Sequence, residues 1–213
     1  MFSELVDRAV HTAGRPDALE DIAYFANETM RDISKRNDWA DDTLEAMISV
    51  PTDTRTVIWD PENTLRRPFR REEFICDGCG CSPLYVSPSR RMKDHEGPYY
   101  YRSGSSFVFA NVCDPIKMFY YAYHPWLRYY PKNARPAEFN VELASWGGAT
   151  PAQLELVTNW MLERHNHIVL QGTLARFFAT KQDPRQQVHY SAYEQGITHI
   201  TRSESRKELA ARR

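Results

Sequence analysis

Apolar side chains recur at helical spacing in the first part of the chain. Within residues 2–13 they follow one helix face, and Gly14 with Pro16 ends that run. A second run, from about Asp17 to about Arg36, has acids early and bases late, as the helix dipole favours. Because the connection is short, we predict two neighbouring helices. Their stripes are Phe2, Leu5, Val6, Ala9, Val10 and Ala13, then Leu19, Ile22, Ala23, Ala26, Met30 and Ile33.

From about Ala46 to Pro131 the helical period fades, and Pro, Gly and Ser separate short β-rich runs. Residues 77–98 hold most of the turn formers, so a long loop is predicted there. The predicted strands are Arg55–Trp59, Glu73–Ile75, Tyr99–Arg102, Ser106–Asn111 and Lys117–His124.

The helical period returns after Gly147 and Gly148. A helix is predicted over residues 151–180, since Thr150 is a capping residue and Pro151 suits the first helical position. It carries two apolar stripes, which favours either the centre of a bundle or contact with a neighbouring subunit. Asp183-Pro184 starts another helix, and beyond Thr201 the apolar stripe stops. The stripes are Leu154, Val157, Met161, Ile168 and Ala175; Leu156, Trp160, Leu170, Leu174 and Phe177; and, in the last helix, Tyr190, Tyr193, Ile197 and Ile200.

The order of elements predicts an α+β fold, in which helices from both ends of the chain form one bundle. The predicted parts are N-terminal helices over 1–45, a β-rich insertion over 46–148, C-terminal helices over 149–201 and an extended basic tail over 202–213.

Composition narrows the function classes. Lys plus Arg number 27 against 28 for Asp plus Glu, so a basic nucleic-acid binder is not indicated, although local basic patches remain. No apolar run reaches the ~20 residues of a membrane span, and the N-terminus lacks the pattern of a signal peptide. Four cysteines do not make a disulfide scaffold, so a reducing compartment is expected. Eight of the 12 tyrosines fall between Tyr99 and Tyr130, which fits either a protein contact surface or aromatic pairs within a sheet.

No catalytic motif is present: the sequence lacks a phosphate loop of the GxxxxGK[ST] form, GxSxG and HExxH. His165 and His167 are two residues apart on a predicted helix, so they point to different sides. We therefore predict a protein without catalytic residues or a bound cofactor.

The cysteines and two basic clusters are the candidate sites. Cys76, Cys79 and Cys81 form a C-x2-C-x-C run, and Cys113 is the candidate for a fourth zinc-binding thiolate. Free thiols in a loop are the alternative. The basic clusters suit phosphates, acidic protein surfaces or solvent. They comprise Arg66, Arg67, Arg70 and Arg71, and Arg202, Arg206, Lys207, Arg212 and Arg213.

The layout resembles the head-to-tail adaptor (connector) proteins of short-tailed bacteriophages. Four segments carry the resemblance: the helix pair up to ETMRDISKR with Trp39 just beyond, a strand–turn–strand with an aromatic strand, and two late helices. They read SELVDRAVHTAG-RPDALEDIAYFANETMRDISKR, YYYRSGSSFVFANVCDPIKMFYYAYHPWL, TPAQLELVTNWMLERHNHIVLQGTLARFFA and DPRQQVHYSAYEQGITHI.

The resemblance implies a structural virion protein that forms a ring, usually of twelve copies, beneath the portal. Such a ring joins the portal protein to a tail tube or nozzle protein and continues the channel through which genome DNA passes. It would sit at the portal vertex, after assembly in the host cytoplasm. By the same analogy residues 201–213 contact the portal, with Arg202, Arg206, Lys207, Arg212 and Arg213 as candidates. The run Cys76–Cys81 has no counterpart in the family pattern. A zinc-stabilised module and a nucleic-acid-binding module stay as alternatives.

Overall fold

The computed structural model describes residues 1–51, 56–65, 67–86, 97–130 and 158–211. They fall into two compact units. The helical unit combines Met1–Asp38 with the chain from His124 onward, and the β unit is Trp39–Tyr123. The predicted α+β class is confirmed. The units divide after Asp38 and Tyr123, earlier than the predicted boundaries at 45 and 148.

The helices are α1 (Phe2–Ala13), α2 (Leu19–Arg36), α3 (Pro61–Thr64), α4 (Trp160–Thr180) and α5 (Arg185–Ala211), and the strands are β1 (Thr43–Ile48), β2 (Thr56–Trp59), β3 (Phe69–Cys76), β4 (Leu84–Tyr85), β5 (Tyr99–Ser103), β6 (Ser106–Ala110) and β7 (Ile116–Ala122).

The two predicted N-terminal helices are confirmed. Gly14 ends α1 in the left-handed conformation (φ 68°), and its N–H donates to the carbonyl of His11 at 3.1 Å. A short 3-10 turn, Pro16–Ala18, leads into α2. Most residues of the two apolar stripes are buried, with Phe2 and Ile33 fully inaccessible to solvent, while Val10, Leu19 and Ala23 are half-buried.

Helix α4 is the centre of the helical unit, because it packs against α1, α2 and α5. Its two-sided apolar pattern is therefore satisfied within one chain. The prediction of an unbroken helix over 151–180 is wrong at Asn159, whose backbone is extended (φ −155°, ψ 173°) and whose side chain caps the N–H of Leu162 at 3.1 Å. The predicted start at Thr150 and the stripe residues up to Val157 lie outside the described residues.

Helix α5 begins where Asp183-Pro184 predicts, and the Asp183 carboxylate accepts the N–H of Arg185 at 2.8 Å. The prediction of an extended tail over residues 202–213 is wrong as far as Ala211, because α5 continues as a helix to that residue. The segment from Arg202 lacks Gly and Pro and is rich in Arg, Glu, Lys and Ala, which favour helix without an apolar stripe. Tyr190 is 46% exposed, so its prediction as an inner residue is also wrong.

The β unit contains two sheets that share one apolar core. One sheet has the order β1-β7-β3 and the other β2-β6-β5-β4; all neighbours are antiparallel except β4 and β5. All five predicted strands are present, with shifted ends. Strands β1 and β4 were not predicted: β1 (TLEAMI) is rich in helix formers, and β4 has only two residues. The core residues are Ile48, Trp59, Ile75, Tyr100, Phe107, Phe109, Ile116, Met118, Tyr120 and Ala122.

A short extended segment, residues 124–130, lies across the helical unit. The Asn27 side chain donates to the carbonyl of Leu127 at 3.1 Å and accepts its N–H at 2.8 Å. The Tyr129 hydroxyl donates to Asp7 at 2.7 Å. The Ser3 hydroxyl also accepts the N–H of Tyr130 at 2.9 Å. The bonds from Asn27 and Ser3 satisfy backbone groups of a segment that has no strand partner.

Candidate interaction surfaces

The three-stranded sheet of the β unit carries apolar side chains on both faces. Alternation along β1, β7 and β3 directs the core residues inward and Met47, Phe119 and Phe74 outward. Met47 is 63% exposed and Phe74 is 48% exposed, and the Phe74 and Phe119 rings lie 6.4 Å apart. We call these three residues the Met47 face.

The four-stranded sheet repeats this property. Val57 and Trp59 of β2 point toward the core, so Ile58 between them points outward and is 72% exposed. Ile58 pairs with Val108 of β6, which pairs with Tyr101 of β5. We call Ile58, Val108 and Tyr101 the Ile58 face. Ile58 is its exposed member, whereas Val108 is buried and Tyr101 is half-buried.

Outer faces of antiparallel sheets are normally polar, and exposed apolar patches mark contact sites. The β unit thus has two different candidate contact surfaces, one on each sheet. The run Thr56–Trp59 (TVIW) signals the Ile58 face in the sequence, since its last three residues are apolar without alternation. Among the tyrosines, Tyr100 and Tyr120 belong to the core, as aromatic packing within the sheets predicts, and Tyr101 is half-buried on the Ile58 face.

The four candidate zinc ligands do not form one site in this structure. Cys79 and Cys113 are joined by a disulfide, while Cys76 and Cys81 are free. The only group of potential metal-binding atoms found in the described part of the chain is Asp77, Cys79 and Cys113. A four-thiolate site requires every sulfur as a thiolate, so the predicted set of Cys76, Cys79, Cys81 and Cys113 is wrong for this disulfide-bonded form.

The carboxylate of Asp77 has a structural task in this cluster. One of its oxygens accepts the N–H groups of Cys79 (3.1 Å) and Cys81 (2.9 Å), and the other accepts that of Cys113 at 3.1 Å. Asp77 is buried, and these three bonds satisfy its charge without a cation.

Only some of the basic residues that were predicted as site residues lie within the described ranges. Arg202 is exposed on α5; Arg206 and Lys207 belong to the same helix, and Arg212 and Arg213 lie outside the described residues. In the other cluster, Arg66 is outside the described ranges. The guanidinium of Arg71 lies 4.8 Å from the centre of the Tyr121 ring, and that of Arg70 lies 6.0 Å from it. Those two cations therefore cover an aromatic side chain of their own unit.

The histidines are placed separately. His165 interrupts the regular backbone of α4 (φ −134°, ψ 30°), and its ring packs edge-on against Trp160 at 5.9 Å. His167 is exposed. Within the ranges that the structure describes, none of the helices is long and apolar enough to cross a membrane.

A polar cluster that the sequence did not suggest joins three helices of the helical unit. One oxygen of Asp32 on α2 lies 3.0 Å from Arg36, 3.1 Å from Arg176 of α4, and accepts the Tyr193 hydroxyl of α5 at 2.8 Å. Arg36 also donates to Glu194 at 2.7 Å. Arg176, Tyr193 and Glu194 are far in the sequence from Asp32 and Arg36, so no local motif signals this cluster.

The charges in this cluster stabilise one another. Burial raises the pKa of Asp32, but the Tyr193 hydroxyl and the guanidinium groups of Arg36 and Arg176 outweigh it, so the pKa lies below its usual value. The hydrogen bond from Arg36 likewise lowers the pKa of Glu194. Burial, with the neighbouring Asp32, raises the pKa of Tyr193.

A lowered pKa in the folded state makes stability depend on pH. The Asp32 carboxylate stabilises the fold above about pH 4, and this contribution is lost as the pH falls through its lower folded value. We expect Asp32→Asn to destabilise the protein by about 1–3 kcal/mol at pH 7 and by less at pH 3, which lies below the ordinary carboxylate pKa. Urea unfolding followed by circular dichroism at both pH values measures this difference.

The control is Asp17→Asn, because Asp17 pairs with Arg15 at 2.6 Å in an exposed position, where such pairs contribute little. That variant should unfold almost like the wild type at either pH. An equal loss for Asp32→Asn at pH 7 and pH 3 would assign its effect to packing rather than charge.

No protein-family model matches this sequence, and no curated protein matches it either.

Proposed function

We propose that this chain is a structural virion protein that assembles into a ring, joins a capsid portal to a tail, and continues the channel for genome DNA. The proposal rests on the resemblance described above and on the two contact surfaces of the β unit. We expect about twelve copies in the ring, as the resemblance implies. Genome DNA would pass through the channel without sequence-specific contacts. Its location is the portal vertex of the virion, following assembly in the host cytoplasm.

The observation that carries the proposal is the presence of two unlike apolar surfaces on one unit. A subunit in a closed ring contacts one neighbour with one surface and the other neighbour with a different surface. The Met47 face and the Ile58 face lie on different sheets and have different side chains, so they satisfy this requirement. A two-fold dimer would need only one self-complementary surface.

The two units suggest a division of tasks. The helical unit has its own core and its own polar cluster around Asp32, so it does not need a neighbour to bury its central helix. Met47 and Ile58 of the β unit are exposed, and we expect a neighbouring subunit to bury them. The helical unit also exposes Tyr24, Trp126, Val188 and Tyr190, so the subunit contacts in the ring are assigned to the β unit on the basis of its two different sheet faces.

The portal contact is assigned to the end of α5. Arg202, Arg206 and Lys207 lie in a part of this helix that continues beyond Ile200, the last buried residue of its apolar stripe. With Arg212 and Arg213 they form a basic segment that suits an acidic protein surface. The proposal needs no catalytic residue and no cofactor.

The test is native mass spectrometry of the protein alone and mixed with portal particles of the same virus. We expect wild-type protein to form a ring on the portal, and we expect Ile58→Asp and Phe74→Asp each to reduce ring formation at least tenfold. A buried carboxylate without a partner at the subunit contact costs several kcal/mol, and tenfold corresponds to about 1.4 kcal/mol. Circular dichroism should show both variants folded, because both side chains are exposed in the single chain.

Val188→Asp is the matched control, since Val188 is exposed but belongs to the helical unit. It should form rings like the wild type. The proposal is wrong if wild-type protein stays a single chain in the presence of portal particles, or if both β-unit variants assemble normally.

A further inference from the structure

The link between Cys79 and Cys113 joins two separate connections of the β unit. Cys79 lies in the turn after β3, and Cys113 lies between β6 and β7, 34 residues later in the chain. The pairing of Cys76 with Lys117 brings the end of β3 next to the start of β7. The two connections that meet at the disulfide are thus already neighbours through the sheet.

Hydrogen bonds hold the two cysteines together independently of the covalent bond. The carboxylate of Asp77 accepts the N–H of Cys79 with one oxygen and that of Cys113 with the other, both at 3.1 Å. The N–H of Gly78 donates to the carbonyl of Cys113 at 3.0 Å. When the bond is reduced, these contacts keep the thiols close, which gives them a high effective concentration for reoxidation.

The close approach of the two connections requires glycine at position 78. A Cβ atom on Gly78 would lie 1.9 Å from the carbonyl oxygen of Asp114, a backbone atom that cannot move aside cheaply. The glycine at position 78, the pairing of β3 with β7 and the hydrogen bonds therefore all favour the proximity of the Cys79 and Cys113 sulfurs.

The disulfide is accessible to small molecules. Cys79 is exposed and Cys113 is partly exposed, so a thiol in solution can reach the bond. Cys81, which is also exposed, lies two residues from Cys79 and carries a free thiol. Buried structural disulfides lack this access.

We propose that Cys79 and Cys113 form a redox-responsive pair, in which a small thiol such as glutathione opens the disulfide and glutathione disulfide closes it. The closed form fixes the turn after β3 to the β6–β7 connection, and the open form leaves that attachment to the Asp77 and Gly78 hydrogen bonds. This inference does not depend on the ring proposed above.

Opening of the disulfide consumes two glutathione molecules in two steps. A glutathione thiolate attacks the sulfur of Cys79, an exposed residue, the bond between the two cysteines breaks, and Cys113 leaves as a thiolate that takes up a proton. A second glutathione thiolate attacks the mixed disulfide and releases Cys79, which also takes up a proton, together with glutathione disulfide. Two glutathione molecules thus supply two electrons and two protons to the cysteine pair.

The first experiment counts thiols in the full-length protein. In denaturant without reductant two thiols per chain should react, Cys76 and Cys81, and after reduction all four should react. Native protein is then equilibrated at a series of ratios of glutathione to glutathione disulfide, quenched with acid and alkylated. Mass spectrometry of the peptides should show that Cys79 and Cys113 titrate together and reversibly.

Variants separate the pair from its neighbours. Cys113→Ser should lower the melting temperature by about 5–15 °C, and dithiothreitol should lower that of the wild type equally without affecting the variant further. Cys81→Ser, the matched control in the same turn, should change neither. Asp77→Asn removes a carboxylate oxygen from the Cys113 N–H, so half-reduction should need several-fold less glutathione.

Three results would overturn the inference. Four reactive thiols before reduction would show that the bond does not form. A disulfide that stays closed in native protein at every ratio and in dithiothreitol would be a permanent link. One zinc ion per chain on protein purified without chelator, with no disulfide, would make the cluster a metal site. If Cys113→Ser fails to fold, the titration of the wild type still decides among these results.

Discussion

Replacing Gly172 with leucine is expected to destabilise the helical unit strongly. Gly172 lies on α4 where this helix touches both α2 and α5. A Cβ atom at this position would lie 2.5 Å from a methyl carbon of Thr29 and 2.8 Å from the ring of Tyr193. Thr29 is β-branched and Tyr193 is buried and hydrogen-bonded to Asp32, so neither can move away. We expect a loss of about 3 kcal/mol or more, because the helices must separate to admit the side chain.

Chemical unfolding followed by far-ultraviolet circular dichroism measures this loss. The control is Ala179→Leu, which adds a comparable side chain on the exposed face of the same helix. It should leave stability within about 0.5 kcal/mol of the wild type. If Gly172→Leu is equally harmless, the three helices are not packed as tightly as the structure has them.

The second large effect is expected in the β unit, where Phe107→Ala should cost about 3–5 kcal/mol. Phe107 is fully buried, and its ring lies 6.0 Å from that of Phe109 and 5.9 Å from that of Trp59. The guanidinium of Arg102 lies 4.9 Å from its centre. Truncation removes the apolar contacts, leaves a cavity between the two sheets and takes away the aromatic partner of Arg102.

Urea unfolding monitored by tryptophan fluorescence reports this loss, because Trp59 contacts the ring that is removed. Phe74→Ala is the matched control: it deletes the same atoms from the exposed Met47 face and should cost less than about 1 kcal/mol. Similar losses for the two variants would contradict the assignment of Phe107 to the core and of Phe74 to the surface.

Local sequence patterns were sufficient to predict several helices and strands. The stripes of α1 and α2, the stop at Gly14 and the start of α5 at Asp183 follow from spacing, backbone freedom and capping. The strands β5, β6 and β7 were visible from their aromatic and β-branched residues.

Local patterns could not predict contacts between residues that are far apart in the sequence. Asp32 and Tyr193 are far apart in sequence, and nothing in their immediate surroundings signals that they meet. The same holds for the partners of α4: its two apolar stripes predicted burial on two sides, but only the fold shows that α1, α2 and α5 supply it. The cysteine spacing likewise could not reveal that Cys79 pairs with Cys113, because strand pairing places them together.

The helical unit is assembled from the two ends of the chain, and this has a consequence during synthesis on the ribosome. Helices α1 and α2 emerge first, but α4, against which they pack, follows only after about 120 further residues. At roughly 5–20 residues per second the nascent N-terminal helices wait on the order of 6–24 seconds for that partner. The β unit is one uninterrupted segment and is complete before α4 leaves the exit tunnel. During this interval the unpaired stripes of α1 and α2 are natural targets for a chaperone that binds nascent chains.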